Sequence, residues 1–142
     1  MKIINMKQAF TLIEILVVAT IIGLLAALSS TGYSQFNKQA RDAKRKADLE
    51  NIRAALEMYR SNNSYYPSSL NILVNQYLST LPVDPLSAQA YAYVYSPLPG
   101  GCSNNCTDYT LGSYLETGSG AVCLSNCYSG VCNYCLGPYG QK

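Results

Sequence analysis

At 142 residues the chain has room for one domain of ordinary size beside an anchor, and its 10 basic and 8 acidic side chains leave a formal net charge of only +2. That balance does not by itself mark a nucleic acid binder, and the absence of histidine removes the usual general base and metal ligand. Most charges fall between Lys38 and Arg60. Beyond Arg60 only Asp84, Asp108, Glu116 and Lys142 remain, in a stretch rich in Tyr, Ser, Asn and Gly that holds all 6 cysteines; such a polar, uncharged surface suits a crowded, repeatedly contacted environment better than the cytosol.

Residues 1–9, with Lys2 and Lys7, form a short basic leader before the apolar run "FTLIEILVVATIIGLLAAL", Phe10 to Leu28. As a helix this run spans roughly 28 Å, close to a bilayer's hydrocarbon thickness, and it reads as a single membrane span. Ala19, Gly23, Ala26 and Ala27 are the small residues that let helices approach closely in lipid. Glu14 is its one ionisable group. A central acid costs about 2.5 to 3.5 kcal/mol on insertion scales, so a partner is expected, unless Glu14 reaches the headgroups from its place near the end of the span. A secretory signal peptide cut near Ala27-Leu28-Ser29 fits poorly, because the run is too long and Glu14 would sit in its core. An ordinary signal anchor leaves Glu14 unexplained.

The helical pattern continues over residues 29–62. Phe36, Ala40, Ala43 and Ala47, then Leu49, Ile52, Leu56 and Tyr59, recur at the three- and four-residue steps of a helix face. Asp42 with Lys46, and Glu50 with Arg53, stand at pairing distance on other faces. One helix from Phe10 to about Asn62 is expected, weakest at "SSTG", Ser29 to Gly32, and ended by Asn62-Asn63 and Pro67. The basic cluster Lys44-Arg45-Lys46 reads as a solvated face, with contact to DNA or anionic lipid as the alternative.

"KQAFTLIEILVVATIIGLLAAL" resembles the class III signal of type IV prepilins and type II secretion pseudopilins, and "ARDAKRKADLENIRAALEMYRSNNSYYP" is similar to the second half of their long helix. The resemblance implies cleavage by a prepilin peptidase between Ala9 and Phe10, N-methylation at Phe10, and assembly through Phe10 and Glu14. The family's glutamate pairs with the terminal amine of a neighbouring subunit. Ala9 stands where the family usually has Gly, and no Pro follows the span as it often does in the family. The implied partners are copies of itself and other pilins in a filament, the peptidase/methyltransferase, an inner-membrane assembly platform and membrane lipid. The implied location is the cytoplasmic membrane with the C-terminal domain outside the cytoplasm, then a filament at the cell surface. The positive-inside count opposes this orientation, since Lys38, Arg41, Lys44, Arg45 and Lys46 outnumber Lys2 and Lys7.

Residues 63–142 read as an extracytoplasmic globular domain. Leu70, Leu73, Val74, Tyr77 and Leu78 follow helical spacing behind the possible caps Ser68 and Ser69, and "LPVDP" ends the pattern. Strands are expected at Tyr91–Tyr95, Asp108–Glu116 and Ala121–Leu124, the last two joined as a hairpin by Gly118-Ser119-Gly120. The fold class is α+β: a long N-terminal helix packed by its second half on a small, three-stranded antiparallel sheet, which matches the "lollipop" that the resemblance implies.

Cys102, Cys106, Cys123, Cys127, Cys132 and Cys135 lie in the half expected outside the cytoplasm and favour disulfides, with no pairing chosen by the sequence. A zinc site from the last four has only four residues between its pairs, far below zinc-ribbon spacing, and a redox role for Cys132-Asn133-Tyr134-Cys135 lacks a βαβ context. No cofactor is expected. Because major pseudopilins often hold calcium, Asp84, Asp108 and Glu116, the remaining acids of this half, are weak candidates for one cation. The expected function is non-enzymatic: a structural subunit of a type IV pilus. The stretch "VDPLSAQAY" resembles the pseudopilin pattern without its Trp, so a major secretion pseudopilin is the alternative; a monomeric membrane-anchored adhesin is the alternative of another class.

Overall fold

The computed structural model describes residues 10–103, 105–118 and 120–142. The expected leader with Ala9, and Ser119 of the expected hairpin turn, lie outside the described residues. The chain divides into two compact units with the boundary between Asn37 and Lys38. Helix α1, Leu12–Asn63, begins in the first and ends in the second.

In the first unit α1 starts behind Thr11 and carries no proline. Its apolar side chains stand open: Phe10, Leu12, Ile13, Leu24 and Leu25 are all at least 60% exposed. Among the described residues no single helix is long and apolar enough to cross a membrane; Leu12–Ala27 and Gly32–Asn63 reach that length and composition only as a pair. Leu12–Ala27 alone rises roughly 24 Å, short of the about 30 Å of a hydrocarbon core.

In the second unit the α1 residues Leu49, Ile52, Ala55, Leu56 and Tyr59 pack on Tyr109, Leu111 and Leu136 of a sheet, with Tyr66 and Leu73 closing the edges. The two rows of apolar residues read in the helix have different fates. Leu49, Ile52, Leu56 and Tyr59 are buried, whereas Ala40, Ala43 and Ala47 face solvent, because Asp42, Arg45 and Asp48 occupy the inward positions of those turns. The helix ends in a left-handed residue, Ser64 at φ 69°, whose N–H donates to the Arg60 carbonyl at 2.7 Å. This is the αL stop normally made by glycine.

The helix expected over Leu70 to Leu78 is a single 3-10 turn, Leu70–Leu73, with the Ser69 hydroxyl accepting from the Asn71 N–H. Val74 turns extended and Asn75 takes φ 68°, so the apolar spacing up to Leu78 is met by a turn and not by a second helical turn. A second short 3-10 turn, Ser87–Gln89, follows Asp84, whose carboxylate accepts from the Leu86 N–H at 2.8 Å.

The sheet has four strands, one more than expected. β1 (Val94–Leu98), β2 (Asp108–Ser113), β5 (Tyr134–Gly137) and β6 (Gly140–Gln141) are antiparallel in the order β1-β2-β5-β6. β1 sits three residues later than the alternating run Tyr91 to Tyr95 and includes Pro97, which is tolerated because β1 is an edge strand. The expected partner of β2, Ala121–Leu124, is displaced by β5, with Leu111 opposite Leu136 and Ser113 opposite Tyr134. Instead β3 (Leu124–Tyr128) and β4 (Val131–Cys132) form a separate two-stranded hairpin, turned by Ser129 and Gly130 at φ 48° and 78°. The hairpin lies against β2 at Gly112, where a Cβ would meet the Cys132 Cβ and Sγ at 3.1 Å. Glycine there sets how closely the hairpin approaches.

Candidate assembly site

The start of α1 is a reciprocal cap. Thr11 accepts the Glu14 N–H on its Oγ at 3.3 Å, while Glu14 Oε2 accepts the Thr11 N–H at 3.1 Å and the Thr11 hydroxyl at 2.9 Å. Thr-x-x-Glu is the sequence form of this capping box, which satisfies two of the amides that a helix start leaves unpaired. The four-residue motif stands at residues 11–14 and was not read from the sequence. Phe10, immediately before it, is 80% exposed. Among the described residues Glu14's side chain bonds only Thr11, at its own helix end.

The second unit handles charge differently. Arg45, read from the sequence as part of a solvated face, has no exposed surface at all. Its Nε and Nη2 donate to the two Asp84 oxygens at 2.7 and 3.1 Å, and its Nη1 donates to Asp42 and Glu116, both at 2.8 Å. Its guanidinium also stands 4.7 Å from the Tyr91 ring centroid. Arg41 adds a two-pronged contact to Glu116, at 2.7 and 2.6 Å. Asp42 accepts the Glu116 N–H, the Thr117 N–H and the Thr117 hydroxyl, so it holds the loop after β2 onto the helix and does not pair with Lys46 as expected. Lys46 instead lies over the Tyr134 ring. Glu50 and Arg53 pair at 2.7 Å as their spacing suggested.

These contacts shift Asp42 and Glu116 below their ordinary values. Burial opposes ionisation of Asp42, but the bonds from Thr117, the Glu116 amide and Arg45 outweigh it and lower its pKa. For Glu116 the hydrogen bond from Arg41 is the leading cause, reinforced by Arg45 against a burial cost. Arg45 is pushed up: burial alone would lower it, and the bonds to Asp84, Glu116 and Asp42 more than reverse that.

A second polar cluster ties the far end of α1 to β2. The buried Tyr66 and Tyr109 hydroxyls donate to Glu57 at 2.9 and 3.2 Å, and Arg60 donates to the Tyr66 oxygen at 2.9 Å. Burial, with Glu57 helping and Arg60 opposing, pushes Tyr66 up to about 12. Neither cluster was anticipated, because each joins residues that only the fold brings together.

The cysteines pair as Cys102–Cys106, Cys123–Cys135 and Cys127–Cys132, the last nested inside the second. Cys132 and Cys135 therefore join different partners, and their Cys-x-x-Cys spacing makes no redox pair or zinc ligand set. Between them Asn133 accepts the Leu115 N–H at 2.6 Å and donates to the Leu115 and Gly118 carbonyls, fastening the stapled lobe to the loop that carries Glu116.

The three weak calcium candidates are not brought together. Asp84 and Glu116 converge on the Arg45 guanidinium, and Asp108 pairs with Lys142 at 3.2 Å. Among the described residues no group of three or more Cys, Asp or Glu side chains is placed to hold a metal ion.

Comparison with known proteins agrees with the helix and its start. Residues 4–30 match the prokaryotic N-terminal methylation motif. The type II secretion system core protein G of Pseudomonas aeruginosa is 36% identical over 124 residues, covering 75% of this chain and 84% of that protein. The Vibrio cholerae core protein G is 29% identical over 83% of this chain and 88% of its own length. The type IV major pilin protein PilA of Myxococcus xanthus is 25% identical over 84% of this chain but 49% of the pilin. No solved structure matches. A methylation motif on a capped apolar helix, followed by an α+β unit and joined to a relative matched along most of its length, places the chain in the family of type IV pilins and type II secretion pseudopilins, whose members are structural subunits and not enzymes.

Proposed function

We propose that the chain is a structural subunit of a filament of the pilin–pseudopilin class, made as a precursor and polymerised through the first half of α1. One observation carries this reading. From Phe10 to Leu25 eleven large apolar side chains stand 47 to 82% exposed, while the second unit completes its own core without them. A helix apolar on all sides needs a lipid or protein environment around it. In this reading residues 10–28 sit in the cytoplasmic membrane before assembly, cleavage between Ala9 and Phe10 creates a terminal amine, Phe10 becomes N-methylated, and the second unit lies outside the cytoplasm. An α-amino group has an ordinary pKa near 7.7 to 8.0, so it is largely protonated at neutral pH and suited to pair with Glu14 of a neighbouring copy. The disulfide-stapled lobe fits an oxidising exterior.

Two filaments fit this subunit. The cysteine-rich lobe favours a surface pilus, and the higher identity to core protein G favours a secretion pseudopilus. Mass spectrometry of material sheared from intact cells tests the common reading: a polypeptide beginning at methylated Phe10 is expected in fibres, and a chain that keeps its encoded methionine and stays with the membrane as single units overturns it. Deleting the secretion machinery alone separates the two filaments, since only the pseudopilus disappears. The monomeric adhesin reading is excluded if Glu14→Ala abolishes fibres while leaving membrane insertion intact.

A further inference from the structure

Over residues 38–48 of α1 the buried side chains are Asp42 and Arg45, and the buried apolar row of the helix begins only at Leu49. Residues 114–118, which follow β2, supply much of what holds these turns: Glu116 takes Arg41 and Arg45, while its amide and Thr117 donate to Asp42. One side chain holds the same segment from its other side. Asn133 accepts the Leu115 N–H at 2.6 Å and donates to the Leu115 and Gly118 carbonyls at 3.0 and 3.2 Å, and its own N–H donates to the Ser113 carbonyl. We infer that residues 114–118 are a strap under redox control: the two disulfides that flank Asn133 set its grip, so oxidation of the stapled lobe fixes residues 38–48, whereas the apolar core fixes the helix from Leu49 onward.

Asn133 is tethered on both sides by different bridges. Cys132 joins Cys127 across 5 residues, and Cys135 joins Cys123 across 12. The lobe between them has little else to order it, since β3 and β4 form a hairpin of five and two residues, and an isolated two-stranded hairpin is marginal in water. The same hairpin reaches Arg45 by a second route: Tyr128 of β3 stacks on Tyr91 with ring centroids 3.9 Å apart, and Tyr91 is the ring beside the Arg45 guanidinium. Cys102–Cys106 lies elsewhere, next to Tyr66, whose N–H donates to the Cys106 carbonyl. Opening a bridge takes two electrons and two protons from a dithiol such as dithiothreitol, which closes to its ring disulfide, and leaves two cysteine thiols. The strap acts within one chain, whichever filament the chain builds.

Backbone hydrogen exchange of the full chain in micelles, read by mass spectrometry with and without dithiothreitol, compares residues 38–48 with residues 49–60. In reductant, exchange over 38–48 is expected to accelerate at least about tenfold, the size of one or two net hydrogen bonds, while 49–60 keeps its rate. In oxidised protein Asn133→Ala is expected to give the same selective loss with all three bridges intact by mass, and Cys102→Ser with Cys106→Ser to give none. Unchanged exchange over 38–48 in reductant overturns the proposal. A loss shared equally by 38–48 and 49–60 means that the helix responds as one body, and overturns it too. Native exchange over 38–48 in oxidised Asn133→Ala shows that the bridges do not act through this side chain, and a loss in the Cys102 and Cys106 variant places the effect at the wrong bridge; either result overturns the strap.

Discussion

Replacing Arg45 with Met keeps an unbranched apolar stem and removes a fully buried guanidinium, and what it leaves behind sets the cost. Glu116 keeps both bonds from Arg41, and Asp42 keeps those from Thr117 and the Glu116 amide. Asp84 is left with the Leu86 N–H alone at a side chain 1% exposed. Removing one partner of a buried pair costs about 3 to 5 kcal/mol because the other charge stays uncompensated, so a loss of about 4 kcal/mol is expected at pH 7. Denaturant unfolding of the full chain in micelles, followed by tyrosine fluorescence, reads this as a shift in midpoint at constant slope. The pH dependence supplies a second check. Asp42 and Glu116 have folded-state pKa values below their ordinary 3.8 and 4.5, so their contribution is complete above those values and is lost as pH falls through the lowered ones. Native stability therefore declines below about pH 4.5. A loss under about 1 kcal/mol at pH 7, the range of solvent-exposed pairs, refutes the claim that this network is buried and mutually dependent.

Ser64→Gly should stabilise the second unit by about 0.5 to 1 kcal/mol, since Ser64 holds φ 69° at the helix stop, where an L side chain is strained and glycine is not; thermal unfolding in the same micelles measures it, and a lower melting temperature contradicts the stop described here. Replacing Cys123 and Cys135 together by Ser should cost about 3 kcal/mol, the chain-entropy value for a bridge spanning 12 residues, with Cys127–Cys132 still oxidised by mass spectrometry. A chelator should leave the melting temperature of the unit unchanged, because Asp84 and Glu116 already have Arg45 as their cation; a fall that added calcium reverses contradicts this.

The helix, its stop near Asn62, the buried row from Leu49 to Tyr59 and the α+β class were legible because each depends on residues within a few positions of one another. Arg45 was not. Its partners Asp84 and Glu116 lie 39 and 71 residues away, and periodicity counts any Arg as a surface residue until such partners are known. The sheet failed for a related reason. Alternation marks β-prone residues without saying which strand they join, so Ala121 to Leu124 looked like the neighbour of β2, while the cross-link from Cys123 to Cys135 accompanies a chain path that places β5 there. The cap at Thr11 and Glu14 was written locally in four residues, but a membrane-depth acid invites the question of a distant counter-charge before a local one.

Arg45 and Glu14 show two solutions to one electrostatic problem. A charge held away from water survives only if its surroundings replace the hydrogen bonds that water supplied. The second unit replaces them completely: four bonds to three carboxylates and an aromatic face surround one guanidinium, and the loop, the helix and the turn at Asp84 are all fixed by doing so. A network closed in this way needs nothing from outside, and any further ligand would have to displace a buried ion pair. The Glu14 site is open by the same accounting. Among the described residues only Thr11 bonds its carboxylate, on a helix whose large apolar side chains are exposed. In the assembly proposed above, another copy of that helix start, with its amine, supplies apolar cover and charge pairing together and so favours one register.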